Sequence, residues 1–205
     1  MQLLLDDFYH RWCCTPFLTL PGIVGADWFA DDLRLDIRIR TSDETEPELW
    51  EISCHEVYEE VLSSDATETL FLSSNSLLLK PYQELEVDIA FSENRLAPEF
   101  LFGLLCSKWI EGLGRPERIS KLLCTKPNTL LIAGSAYGML GRFPSSIAEA
   151  ILAGLKGHPI RVNALPGTVP ARWTGCEFKE YPATISALEI GSSYVIAAGF
   201  SACRA

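Results

Sequence analysis

Two segments of the chain alternate apolar residues with charged or small ones, and this pattern limits the fold more than any other feature. The apolar positions of the first are Leu33, Leu35, Ile37 and Ile39, and those of the second are Leu85, Val87, Ile89 and Phe91. Successive side chains of a β-strand point to opposite faces of its sheet. Each segment therefore predicts a strand with one face buried and the other in water.

The flanking sequence predicts further elements of the N-terminal half. Residues 49–62 alternate in a way that favours a strand, although their glutamates also fit a helix. Residues 70–73 and 76–80 predict a hairpin around a central asparagine. Residues 1–12 have the apolar spacing of a helix. Residues 13–25, rich in proline and glycine, predict a loop, and the alternative is a loop that contains a short extended piece.

The periodicity changes near residue 95. Residues 97–112 and 144–155 carry apolar side chains at helical spacing, with proline near the start and glycine near the end, and predict two helices. Residues 160–165 predict a strand, and residues 185–190 and 194–200 predict a hairpin.

Together these patterns indicate an α+β fold. We expect an antiparallel β meander of four or five strands in the N-terminal half, followed by a mixed α/β half with at least two helices. The predicted boundary divides the chain into residues 1–95 and 96–205. The alternative is one intimately packed domain.

Charge is divided unevenly along the chain. Residues 1–100 contain 21 acidic and 6 basic side chains, whereas residues 101–205 contain 6 and 11. An acidic half repels phosphate, so we expect no nucleic-acid partner. A basic protein surface is the partner that this charge favours, and the alternative is that the carboxylates only solvate a sheet face.

The sequence predicts a cytoplasmic protein without a membrane partner. It contains no apolar run of about 18 residues, and its first residues lack the basic region of a secretory signal. Its seven cysteines are odd in number and irregular in spacing. In a reducing compartment they are expected to be small buried apolar residues.

Cys54 and His55 are the candidate catalytic residues. A cysteine nucleophile requires a thiolate, a nearby base and an accessible position. Neighbouring residues of a strand point to opposite faces, however, so Cys54 and His55 are not expected to share a metal ion. Neither a metal nor a cofactor is predicted.

The candidate binding residues are Trp28, Asp31, Asp32, Arg142 and Trp173. Tryptophans in polar surroundings are typical of interface anchors, and the alternative is that each closes the end of a core. Arg142 directly follows residues 134–141, a glycine-containing segment that precedes a predicted helix. This segment is a candidate phosphate-binding loop. The alternative is that its glycines form the turn of a hairpin, which explains the pattern equally well. Arg115, Arg118 and Lys121 predict a basic helical face that could contact an anion or an acidic partner, and the alternative is a solvated surface.

From these features we expect a non-catalytic protein-interaction or regulatory module. One alternative is an enzyme with a dispersed Cys/His site. The other is a small-molecule sensor with a pocket between the two halves. The oligomeric state is not predicted.

Overall fold

The computed structural model describes residues 1–14, 19–41, 47–63, 67, 69–114 and 135–205, without the side chains of residues 10–14, 19, 20 and 41. The predicted basic face at residues 115–121 lies outside these ranges. In chain order the helices are α1 (Gln2–Cys14), a short 3-10 helix (Leu77–Leu79), α2 (Lys80–Gln83), α3 (Pro98–Leu113) and α4 (Ser145–Leu155). The strands are β1 (Thr19–Phe29), β2 (Asp32–Thr41), β3 (Glu48–Val61), β4 (Leu70–Ser73), β5 (Glu86–Ser92), β6 (Tyr137–Pro144), β7 (Arg161–Ala164), β8 (Ala171–Trp173), β9 (Phe178–Glu180), β10 (Ser186–Ile190) and β11 (Ser193–Arg204).

The predicted α+β fold class is confirmed, because an antiparallel sheet in the first part of the chain is followed by helices and further strands. None of the helices in the described ranges combines the length and apolarity needed to cross a membrane.

The chain divides into two compact units, which differ from the predicted halves. The first unit contains residues 1–79 and 182–205, and the second contains residues 80–181. The boundaries differ because β10 and β11, at the end of the chain, pair with strands from its beginning.

The first unit is built on a six-stranded antiparallel sheet in the order β1-β2-β3-β11-β10-β4. Strands β1 to β3 form the predicted meander, and β11 then pairs with β3 along most of its length. The predicted hairpin at residues 70–80 is wrong, since β4 pairs with β10 and residues 77–83 are helical. Residues 19–25 are strand rather than loop, because an edge strand tolerates Pro21 and the glycines beside its bulge.

One face of this sheet is apolar and packs against α1. Leu4, Leu5 and Phe8 of the helix join a buried cluster with alternate residues of β2, among them Leu35 and Ile37. Each large apolar side chain buried in this way contributes about 1.5–3 kcal/mol relative to an exposed one. The opposite face carries the polar residues of the alternating pattern, and Asp32 and His55 lie at one end of it.

The second unit combines a three-stranded antiparallel sheet, β6-β5-β7, with α3 and α4. The alternating segment that ends at Phe91 is therefore a strand, as predicted, but it belongs to this sheet and not to the meander. Trp109 of α3 and Ile151 of α4 are fully buried in its core. A Cβ atom at Gly112 would lie 2.7 Å from the Ile147 side chain, so glycine permits the close approach of the two helices.

Candidate functional site

Most of the candidate residues meet where β1 turns into β2. We call residues 27–32 the hairpin end. Phe29 pairs with Asp32, which leaves Ala30 and Asp31 as a two-residue turn. Ala30 has a φ of 56°, in the left-handed region that hairpin turns of this length require and that glycine adopts more easily than alanine.

Two large aromatic side chains are exposed at the hairpin end. Trp28 retains 48% and Phe29 retains 60% of its accessible surface. Because they are consecutive on β1, they point to opposite faces, and the register places Phe29 beside Asp32. Asp27 and Asp31 are exposed next to them. The hairpin end thus presents an aromatic ring on each face, surrounded by carboxylates.

Asp32 connects the hairpin end to β3. Its Oδ1 accepts a hydrogen bond of 2.8 Å from the Glu56 backbone N–H, and its Oδ2 lies 3.3 Å from His55 Nδ1. Glu56 has a φ of 53° at this point of the strand. The backbone hydrogen bond from Glu56, and then the hydrogen bond with His55, lower the pKa of the Asp32 carboxyl because both favour its charged form.

His55 also contacts Ser201 of β11. Its Nε2 lies 3.3 Å from the Ser201 Oγ. Because a carboxylate only accepts hydrogen bonds, the Nδ1 facing Asp32 carries a proton, and in the neutral imidazole Nε2 then accepts from the serine hydroxyl. Asp32, His55 and Ser201 therefore form an exposed hydrogen-bonded chain in which the histidine is placed to take a proton from the serine.

Cys54 is separated from this chain, as strand alternation predicts. It is fully buried in the first unit's core, directly opposite Leu33 of β2 and Phe200 of β11. Burial, and then the nearby Asp32 carboxylate, raise the pKa of its thiol to about 12. A thiol with this pKa is protonated near neutral pH, so the geometry does not support Cys54 as a nucleophile.

The other cysteines correct a broader expectation. Cys176 and Cys203 are exposed and Cys106 is partly exposed, so among the described thiols only Cys54 is a fully buried apolar residue. Polar neighbours rather than apolar runs surround the exposed pair. Cys176, for example, lies 3.6 Å from the Thr174 hydroxyl.

Arg142 lies in the second unit and is engaged by carboxylates. Its guanidinium donates two hydrogen bonds of 3.0 Å to Asp88 and approaches Glu86 at 3.6 Å. Residues 137–144 are strand, so the predicted phosphate loop does not form there. The N-terminus of α4 is already occupied by a carboxylate, because Glu84 accepts from the Ser146 backbone N–H at 2.8 Å.

Trp173 belongs to a second exposed aromatic pair. It faces Phe178 across the β8–β9 hairpin, with 5.1 Å between ring centroids. The two side chains retain 58% and 74% of their surface. This hairpin lies in the second unit, and its aromatic pair serves as a control for Trp28 and Phe29 at the hairpin end.

Within the described ranges, no group of three or more histidine, cysteine, aspartate or glutamate side chains is arranged to hold a metal ion. Comparisons with known proteins found no matching protein family, curated protein or solved structure.

Ser201 and Phe29 were not among the residues predicted from the sequence. Ser201 is 146 residues from His55, and only the pairing of β11 with β3 brings them together. The predicted hairpin near the end of the chain indicated a strand there, but nothing in it indicated the partner. Phe29 could have been found, because it follows Trp28 in the same aspartate-rich segment.

Proposed function

We propose that the protein is a non-catalytic interaction module that binds a basic protein surface through the β1–β2 hairpin end. The observation that carries this proposal is the exposure of Trp28 and Phe29 among Asp27, Asp31 and Asp32. Aromatic residues are enriched at protein interfaces, where a few side chains, often tryptophan, carry most of the binding energy, and a surrounding charged rim helps to select the partner.

The charge of the first unit supports a basic partner. Residues 1–79 and 182–205 contain 17 acidic and 5 basic side chains, a net charge of −12, whereas residues 80–181 contain 10 and 12, a net charge of +2. Arg34, on the same sheet face as Phe29 and Asp32, lies 3.5 Å from Glu51 and 3.7 Å from Asp36. The negative potential of this unit would accelerate encounter with a basic protein at low salt.

The compartment that we infer is the reducing cytoplasm. Free thiols at Cys176 and Cys203 are exposed, and exposed thiols persist where glutathione keeps them reduced. Mass measurement after alkylation of the protein in intact cells should show both thiols modified. Oxidation of both would contradict this location.

Native mass spectrometry of protein purified gently from its host tests the docking. The chain alone has a mass of 22.8 kDa, so a bound polypeptide is directly visible. We expect a basic polypeptide in complex with the wild type and its loss from a Trp28→Ala, Phe29→Ala variant. The matched control replaces the other aromatic pair, Trp173→Ala with Phe178→Ala, and should retain the complex. Retention by the first variant, or a bare wild-type chain, contradicts the proposal.

Charge reversals then test the acidic rim. Asp27→Lys and Asp31→Lys should each reduce the association rate with that polypeptide by about threefold, because rim charges act mainly on encounter. Glu177→Lys and Glu180→Lys, on the β8–β9 hairpin, are the controls. If the reversals on the two hairpins change the association rate equally, the rate depends only on net charge and not on the hairpin end.

The second candidate function is acyl transfer by Ser201, and the hydrogen-bonded chain favours it. The Ser201 Oγ would attack an ester carbonyl while its proton passes to His55 Nε2, held by Asp32 through Nδ1. The alcohol would leave with that proton, and water activated by His55 would then release the acid.

A fluorophosphonate probe distinguishes the two functions, because it labels an activated serine and does not report docking. Labelling of Ser201 that disappears in Ser201→Ala and His55→Gln, but not in Ser53→Ala on the neighbouring strand, would support acyl transfer. An unlabelled wild-type protein would eliminate it.

A further inference from the structure

Two arginines and a histidine line an open cavity in the second unit, remote in sequence from the hairpin end. The cavity has a volume of about 310 Å³ and is lined by Glu93, Arg95, His158, Pro159, Ile160 and Arg161. This volume is at the lower end of the roughly 300–1,000 Å³ of small-molecule sites.

Two loops form this cavity and are fixed to each other. One follows β5 and carries Glu93 and Arg95, and the other leads into β7 and carries His158. The Arg95 backbone N–H donates to the Pro159 carbonyl at 2.9 Å and joins the two loops. At Glu93 the backbone has a φ of 52°, in the left-handed region that non-glycine residues rarely adopt. The hydrogen bond therefore holds the two loops side by side, and the charged side chains at the cavity are exposed.

The backbone donors of the second loop are already used. The His158 N–H donates to the Leu155 carbonyl at 3.1 Å, and the Ile160 N–H donates to the His158 carbonyl at 2.8 Å. A ligand in the cavity would consequently be held by side chains. The side chains that can donate hydrogen bonds are the guanidinium groups of two arginines and the imidazole of His158. The imidazole packs against the Phe100 ring, with 5.0 Å between the ring centroids.

Only one carboxylate opposes these donors. Glu93 pairs with Arg161 at 3.1 Å, whereas the guanidinium of Arg95 makes no ion pair with any described side chain. The cavity thus has an excess of positive charge in a unit whose net charge is close to zero. Guanidinium groups bind tetrahedral oxyanions through paired hydrogen bonds, and a phosphate accepts from several donors at once.

We propose that this cavity binds a phosphate group, with Arg95, Arg161 and His158 as its ligands. Pro159 and Ile160 form an apolar wall beside the charged groups, which suits a phosphate monoester with a small organic part. Because Glu93 is paired with Arg161, it competes with the phosphate for this guanidinium and lowers the affinity of the cavity for phosphate.

Proton NMR of the His158 ring, titrated with inorganic phosphate and with phenyl phosphate, tests the proposal. The chain has three histidines, so His158→Gln assigns the signal. We expect a saturable shift with phosphate that chloride at equal ionic strength does not produce. Phenyl phosphate should bind about threefold more tightly if the apolar wall contacts the ligand. Equal affinities would indicate free phosphate as the natural ligand.

Four substitutions locate the site. Arg95→Gln and Arg161→Gln should each weaken phosphate binding by about tenfold or more, since each removes a charge-assisted hydrogen bond. Glu93→Gln should strengthen it by about threefold. The matched control is Lys156→Gln, which removes an exposed cation two residues before His158 and should change the affinity by less than about twofold. A wild-type signal that responds equally to phosphate and chloride, or equal losses in all the cation variants, would overturn the proposal.

Discussion

Replacement of Phe8 by alanine tests the packing of α1 on the first unit's sheet. Phe8 retains 1% of its surface within the cluster that the helix shares with β2 and β3, and Phe→Ala at a site of this kind costs about 3–5 kcal/mol. For a unit of about 100 residues that unfolds by itself, a loss of about 4 kcal/mol lowers the midpoint temperature by roughly 20 °C. If the whole chain unfolds in one transition, the same loss lowers Tm by roughly 10 °C.

Differential scanning calorimetry measures both the loss and the number of transitions. Leu3→Ala is the control, because Leu3 lies on the same helix but retains 75% of its surface, and it should change the stability by less than about 0.5 kcal/mol. If Phe8→Ala destabilises the protein by no more than Leu3→Ala does, α1 does not cover the sheet. A second variant, Trp109→Ala, removes a fully buried side chain of the second unit. Separate transitions that respond to one variant each would establish two independent domains.

Three further predictions concern the hairpin end and its neighbours. Ala30→Gly should raise the free energy of unfolding by about 0.5–1 kcal/mol in urea denaturation, because alanine is strained at a φ of 56°; a loss of stability would contradict the turn geometry. Cys54 should react with a thiol reagent only after unfolding, whereas Cys176 and Cys203 should react at once in the folded protein, and rapid reaction of all three would refute the placement of Cys54. Because the folded state lowers the Asp32 pKa, the stability advantage of wild type over Asp32→Asn should be present above the ordinary value of 3.8 and disappear as the pH falls through the lowered pKa. Urea midpoints of both proteins, measured across this pH range, check this prediction. A difference in midpoint that does not depend on pH would contradict the hydrogen bonds of Asp32 with Glu56 and His55.

The sequence predicted the elements whose side chains have a regular period. Helix α1, strands β2 and β3 and the β10–β11 hairpin all have an apolar face that packs in the core, and the period follows from that burial. The loop predicted at residues 13–25 was wrong where the structure describes it, since residues 13 and 14 belong to α1 and residues 19–25 to β1, and residues 15–18 lie outside the described residues. Pro21 and Gly22 normally interrupt structure, but at a sheet edge strand pairing overrides that local preference.

Pairing between distant strands could not be predicted, and it determines most of the candidate site. The contact between Asp32 and His55 follows from neighbouring strands, and both residues were candidates. Ser201 joins them only because β11 returns from the end of the chain to pair with β3. Likewise, β5 follows the first sheet in sequence but pairs with β6 and β7, since its apolar face fits the helices of the second unit.

Site-specific photo-cross-linking in host cells tests the central claim most directly. A photoreactive phenylalanine analogue at position 29 should form a cross-link to one basic polypeptide, because the ring of Phe29 lies at the centre of the proposed docking surface. The same analogue at position 178, in the other exposed aromatic pair, should not capture that polypeptide. A cross-link formed at position 178 alone, or none at either position, would contradict docking through the hairpin end.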